Sequence, residues 1–110
     1  MGEPSTRETQ EGTLTLRASE DGSACVLALA GELDLSNAQA FSSELERLEA
    51  AGMPVKIDLG ELEFIDSTGI AILVGAHQRL RDRLTVAPSR SEAVKRVLAL
   101  TGLDDELSIQ

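Results

Sequence analysis

Apolar residues recur along this chain with two different periods, and the changes of period mark out its elements. Leu14 and Leu16 alternate with Thr13, Thr15 and Arg17, the two-residue period of a half-buried strand. Asp21-Gly22-Ser23 is a turn signal. Ala24 to Ala30 is a continuous apolar run, short enough for a central strand. Two such runs around a turn predict a hairpin. Gly31-Glu32-Leu33-Asp34 ends the second strand, and Ser36 or Asn37 offers an N-cap for a helix through about Ala51. Within it Ala40, Phe41, Leu45 and Leu48 keep helical spacing, which places Glu44, Glu46, Arg47 and Glu49 outside. Gly52 and Pro54 stop the helix.

The strand Val55–Leu59 follows, completing a strand–helix–strand unit of the kind that is parallel and right-handed. From Ile70 to Leu80 the pattern is helical but apolar nearly all round. Such a helix is buried on most sides or shows a face to a partner. Leu84–Ala87 predicts another strand. Pro88 and Ser89 lead into a helix from Ser91 to about Leu100, with Ala93, Val94, Val97 and Leu98 inward and Thr101-Gly102 at its end. A short last strand is expected around Leu107–Ile109. Residues 1–11 are polar and aperiodic and are expected to form a disordered tail ahead of one domain, 12–110. The order predicts an α/β (α+β) domain: a mostly parallel sheet of four to five strands with three to four helices.

Composition narrows the function more than the fold. A chain of 110 residues with no Trp or Tyr and two Phe builds its core from Leu, Val, Ile and Ala, and lacks the aromatic platforms on which single-stranded nucleic acids stack. The net charge of −9 repels nucleic acid and anionic membranes on average. Six of the ten bases fall between Arg79 and Arg96, a pattern that a solvated helix face explains. The lone Cys25 lies in an apolar run, a buried thiol. No apolar run reaches the roughly 18 residues of a membrane span, and no leader is visible, which fits a cytoplasmic location.

The densest chemistry lies at Phe64-Ile65-Asp66-Ser67-Thr68-Gly69-Ile70, where a strand gives way to the apolar helix. A hydroxyl there has three uses: to cap the helix, to attack an electrophile, or to accept a phosphate. As a nucleophile Ser67 is poorly served. The hydrolase elbow needs a glycine where Ile65 stands. The one histidine, His77, is ten residues on, roughly 15 Å along a helix. No catalytic residue, metal site or cofactor is assigned: Asp58, Glu61, Glu63 and Asp66 lack calcium-loop spacing and are expected in a solvated acidic loop. Capping is well served, but either Asp66 or Ser67 suffices for it. As a phosphate acceptor, Ser67 would gain about two negative charges at a helix start, in front of an apolar face.

In this order and spacing three motifs resemble a STAS domain, and specifically a bacterial anti-anti-sigma factor. They are Gly31-Glu32-Leu33-Asp34, Phe64-Ile65-Asp66-Ser67-Thr68-Gly69, and Ala93-Val94-Lys95-Arg96-Val97-Leu98 with Leu100-Thr101-Gly102-Leu103. The likeness runs from about Thr13 to Ile109. It implies an anti-sigma factor antagonist, not an enzyme. Such a protein binds an anti-sigma factor that is also a serine kinase of the GHKL ATPase type, and so frees a sigma factor. Phosphorylation at the position of Ser67 breaks the complex, and a PP2C-type phosphatase restores it. The resemblance further implies that Glu32, Asp34, Asp66, Ser67, Thr68, Gly69 and Ile70 meet the partner, and that the protein is a monomer or weak dimer. A STAS scaffold subunit of a transporter or stress-signalling complex is the alternative. One departure stands out: no glycine occurs between Gly75 and Gly102, so the helix ending near Leu80 lacks the family's usual turn residue.

Overall fold

Leu14, Leu16 and Ala18 alternate along one strand, and all three are buried on one face of a five-stranded sheet. The computed structural model describes residues 6–20 and 22–103. Its strands are β1 (Thr6–Glu11), β2 (Leu14–Glu20), β3 (Cys25–Leu33), β4 (Val55–Ile65) and β5 (Leu84–Ala87). Its α-helices are α1 (Ala38–Ala50), α2 (Ser67–Leu80) and α3 (Glu92–Leu100), and a 3-10 turn, Arg81–Arg83, follows α2. The strands lie across the sheet in chain order. The pairings β1–β2 and β2–β3 are antiparallel, while β3–β4 and β4–β5 are parallel. Two right-handed crossovers stepping in the same direction put α1 and α2 on the same face. There Leu16, Leu27, Leu29, Ile57 and Val86 pack with Phe41, Leu45, Leu73 and Ala76, joined by Val94 and Leu98 of α3. Each large side chain so buried contributes about 1.5–3 kcal/mol.

The hairpin and the helix stops match the sequence pattern, and Cys25 is a buried thiol. The balance of the sheet is different: it is evenly mixed, because the chain contributes a strand where a tail was expected. Residues 6–11 form β1 without any apolar alternation. An edge strand exposed on both faces needs only its ladder to β2, and periodicity does not record that. Arg7 of β1 also reaches Glu44 of α1 at 3.6 Å. Glu44 therefore sits inside and not outside, 6% exposed, with Arg47 Nε donating to it at 3.0 Å. A buried carboxylate persists only when paired in this way. The expected strand around Leu107–Ile109 lies outside the described residues, as do residues 1–5.

Strand β4 runs on to Ile65, so the expected acidic loop does not exist: Gly60 to Ile65 continue the ladder. The register slips between Asp58 and Glu61 and again between Leu62 and Phe64, against Ala28 to Glu32 of β3. Asp58 Oδ1 accepts the Gly60 N–H at 2.9 Å at the first slip. Such bulges break strict alternation, which hid the second half of the strand. Gly31, beside the second slip, has φ +97°, and a Cβ there would stand 1.9 Å from the Thr13 carbonyl oxygen. At the start of α3, Ser91 is the cap, its hydroxyl accepting from Val94 N. Ser89 is buried and donates to the Leu62 carbonyl at 2.8 Å. Ala93 points outward; Val94 and Leu98 fill the inner face.

The missing glycine after α2 is replaced by strain. Arg81 takes φ 52° and ψ −121°, and among the described residues it is the one non-glycine with positive φ. The basic stretch from Arg79 onward is largely engaged with the rest of the domain. Arg79 donates to both carboxylate oxygens of Glu49, at 2.9 and 2.7 Å, which raises the guanidinium pKa further. Arg83 donates to the carbonyls of Glu49 and Met53, near the end of α1. These contacts tie α1 and the exit of α2 together.

Candidate functional site

The N-terminus of α2 meets the loop after β3 at one end of the parallel strands. The meeting depends on Asp66. Its backbone is extended, the conformation of a residue just outside a helix, and its Oδ1 accepts the N–H groups of Thr68 at 2.9 Å and Gly69 at 3.2 Å. Oδ2 accepts the N–H of Leu35 at 3.2 Å, from the other segment. The Asp66 backbone N–H is bonded to the Leu33 carbonyl. One carboxylate thus caps a helix and pins a loop.

Asp34 and Asn37 shape that loop. Asp34 Oδ1 accepts both the N–H and the hydroxyl of Ser36, at 3.0 and 2.6 Å. Asn37 is buried. It precedes α1 as expected of a cap, but its side chain serves the loop instead. Oδ1 accepts from Asp34 N at 3.0 Å and Nδ2 donates to the Glu32 carbonyl at 2.9 Å. Gly69 lets α2 approach the sheet: a Cβ there would meet Leu33 Cδ2 at 2.7 Å and Ile65 Cγ1 at 2.9 Å.

Because Asp66 supplies the cap, Ser67 is released from that task. It is the first residue of α2, it is exposed, and its hydroxyl has no hydrogen-bond partner among the described residues. Thr68 is half-buried and lines a shallow groove of about 310 Å³ between α1 and α2, with Ser42, Glu46 and Ile72. The apolar character of α2 divides accordingly. Gly69, Leu73, Ala76 and Leu80 face the core, Ile70, Ile72 and Val74 are half-buried, and Ala71 is exposed.

Of the residues singled out in the sequence, Asp34, Asp66, Ser67, Thr68, Gly69 and Ile70 come together at this junction. Glu32 is beside it, paired in the ladder with Phe64. Two neighbours were not among the expected partner-binding residues, Leu35 and the motif's own Phe64. Leu35 is 77% exposed and Phe64 46% exposed, and they flank the junction from the loop and from β4. An apolar residue directly after Asp34, in a segment with no helical or strand period, was the available signal. His77 is half-buried on α2, within three residues of its end, away from Ser67. No described helix is long and apolar enough to cross a membrane.

Comparison with known proteins agrees with this architecture. The family model described as "Mlab, STAS domain" matches residues 16–109. The Anti-sigma-B factor antagonist of Listeria monocytogenes is 35% identical over 85 residues, which span 74% of this chain and 75% of that protein. The crystal structure of an anti-sigma factor antagonist from Mycobacterium paratuberculosis superposes with a TM-score of 0.82 at 27% identity, covering 92% of this chain and 88% of that one. The anti-sigma factor antagonist SpoIIAA in its unphosphorylated form shares the fold at 17% identity, with a TM-score of 0.65 over 92% of this chain and 84% of that one. Matched by the family model over most of its length and alike in fold, the chain belongs to the STAS domain family, among relatives named as anti-sigma factor antagonists.

Proposed function

We propose that this protein is an anti-sigma factor antagonist controlled at Ser67. Unphosphorylated, it binds an anti-sigma factor that is a serine kinase of the GHKL ATPase type and frees the sigma factor held there. The kinase transfers the γ-phosphoryl group of ATP to the Ser67 hydroxyl, the hydroxyl proton is lost, and the complex breaks. A PP2C-type phosphatase hydrolyses the phosphate and restores binding. In this reading the protein is a substrate and a ligand of its partners, not an enzyme, and it works in the cytoplasm without contacting nucleic acid or membrane.

The observation that carries the reading is the unbonded, exposed hydroxyl of Ser67 beside a carboxylate that already caps the helix. A phosphate there would add about two charges next to Asp66, whose Oδ1 occupies the Thr68 and Gly69 N–H groups. The new charge would therefore have fewer free helix donors and would stand out toward a partner. The exposed Leu35 and Phe64, with Ile70, give that partner an apolar surface around the acceptor, and the added charge would spoil it.

The test is incubation with the cognate kinase and ATP, followed by mapping of the modified residue and measurement of binding. Phosphate on Ser67 and loss of binding by Ser67→Asp are expected. Phosphate elsewhere, or unchanged binding by Ser67→Asp, would sink the switch.

A further inference from the structure

Between β3 and α1 four consecutive backbone N–H groups each have an acceptor, and three of the acceptors are side chains. Asp34 N donates to Asn37 Oδ1 at 3.0 Å, Leu35 N to Asp66 Oδ2 at 3.2 Å, and Ser36 N to Asp34 Oδ1 at 3.0 Å. Asn37 N donates to the Asp34 carbonyl at 3.1 Å. An irregular segment thus has its donors satisfied as fully as a helix would satisfy them. What it carries outward is the side chain of Leu35. A lone exposed leucine is ordinary. One whose backbone is held from both sides, by a buried amide and by the carboxylate next to Ser67, is not explained by its exposure.

Asn37 forgoes a local role to build this arrangement. Asn is among the residues favoured at a helix start, and Asn37 stands just before α1, yet its side chain caps none of the α1 N–H groups. It is 2% exposed and turns both polar atoms back, Oδ1 to Asp34 N and Nδ2 to the Glu32 carbonyl at 2.9 Å. The amide therefore bridges the end of β3 and the loop. We propose that Asn37 is a positioning residue for partner binding: it presets residues 34–36, so that Leu35 enters an apolar pocket of the anti-sigma factor already ordered. The proposal rests on the functional reading above, in which that partner meets the Ser67 junction. Burial of a leucine favours association, and a loop ordered beforehand adds no ordering cost to it. Because Asp66 pins Leu35 and directly precedes Ser67, the leucine and the phosphoacceptor keep a fixed relation to each other.

A double-mutant cycle on the full chain tests it, with affinity measured by calorimetric titration against the purified kinase of the Ser67 assay. Leu35→Ala is expected to weaken binding about tenfold or more. Asn37→Ala should weaken it about five- to tenfold through the lost preordering. It should also speed hydrogen exchange at the Asp34 and Leu35 amides and leave those of α1 unchanged, since no cap bond is removed. The double variant decides. With Leu35 truncated there is no anchor left to position, so adding Asn37→Ala should weaken binding by about twofold at most. A merely structural Asn37 would give the same factor in both backgrounds. If circular dichroism shows that Asn37→Ala does not fold, Asp66→Asn takes its place in the cycle, because it releases the Leu35 amide from the other side. Equal factors in the two backgrounds, or a loop variant that binds as tightly as the parent, would overturn the proposal and leave the switch at Ser67 standing. A parent chain that does not bind the kinase would overturn the functional reading and the proposal with it.

Discussion

Asp66 Oδ2 accepts the backbone N–H of Leu35 at 3.2 Å, across 31 residues of chain, while Oδ1 of the same carboxylate caps α2. The two functions separate by substitution. Asp66→Ala removes both and is expected to lower stability by about 1–2 kcal/mol, the usual cost of a lost cap. Asp66→Asn keeps one oxygen for Thr68 and Gly69 but turns its NH2 group toward the Leu35 N–H. Stability should fall by less, about 0.5 kcal/mol, while the Leu35 amide exchanges its hydrogen much faster. Hydrogen exchange followed residue by residue, alongside urea unfolding, checks both. Equal losses in the two variants would contradict the division of labour.

Ser67→Ala isolates the hydroxyl from the cap. The hydroxyl has no partner among the described residues, and alanine is the better helix former. Stability in urea is expected to stay within about 0.5 kcal/mol of the parent or to rise slightly. A loss above about 1 kcal/mol would show that Ser67, not Asp66, holds the helix start.

Gly69→Ala would gain about 1 kcal/mol in helix propensity. It would also press a methyl group against Leu33 and Ile65, at 2.7 and 2.9 Å, atoms of two adjacent strands. Overpacking of a close-packed site costs about 1–3 kcal/mol, so a net loss of about 1 kcal/mol is expected. Gly31→Ala is far worse, because the obstacle is the Thr13 carbonyl and the backbone is at φ +97°. Little folded protein should be recovered, judged by amide dispersion in a two-dimensional NMR spectrum.

Arg81→Gly should do the opposite. The strained φ of 52° with ψ of −121° costs an arginine about 1–3 kcal/mol, and glycine adopts it freely. Part of the gain is lost to the greater entropy of the unfolded chain, which leaves about 1 kcal/mol of stabilisation. A higher urea midpoint with an unchanged slope is the expected signature.

The sequence made the core legible because apolar spacing reports burial on one face. Leu14, Leu16, Phe41, Leu45, Val94 and Leu98 all fell where their period put them. It made the motif Asp66-Ser67-Thr68-Gly69 legible because start signals of a helix are local. What escaped it were features set by pairing across the chain. Strand β1 has no period, since both its faces are wet. The second half of β4 is concealed by two register slips. Glu44 looked like a surface acid because one of its two basic partners, Arg7, lies on that unrecognised strand; the other, Arg47, is on its own helix. The choice between Asp66 and Ser67 as cap was open because both side chains can cap; the second bond of Asp66, to Leu35 31 residues away, is a pairing that local signals do not record.

The chain-order arrangement of the strands bears on how the molecule reaches its native state. Every described strand pairs with its sequence neighbour, so among the described residues no pairing waits for a distant segment to arrive. The two antiparallel pairings close through short turns, and each parallel pairing closes over one α-helix, followed before β5 by a 3-10 turn, Arg81–Arg83. Loop-closure entropy is thus met in small steps. The sheet should grow outward from β3 and β4, and folding should run in the intermediate range of mixed α/β domains, ahead of all-β folds of similar size.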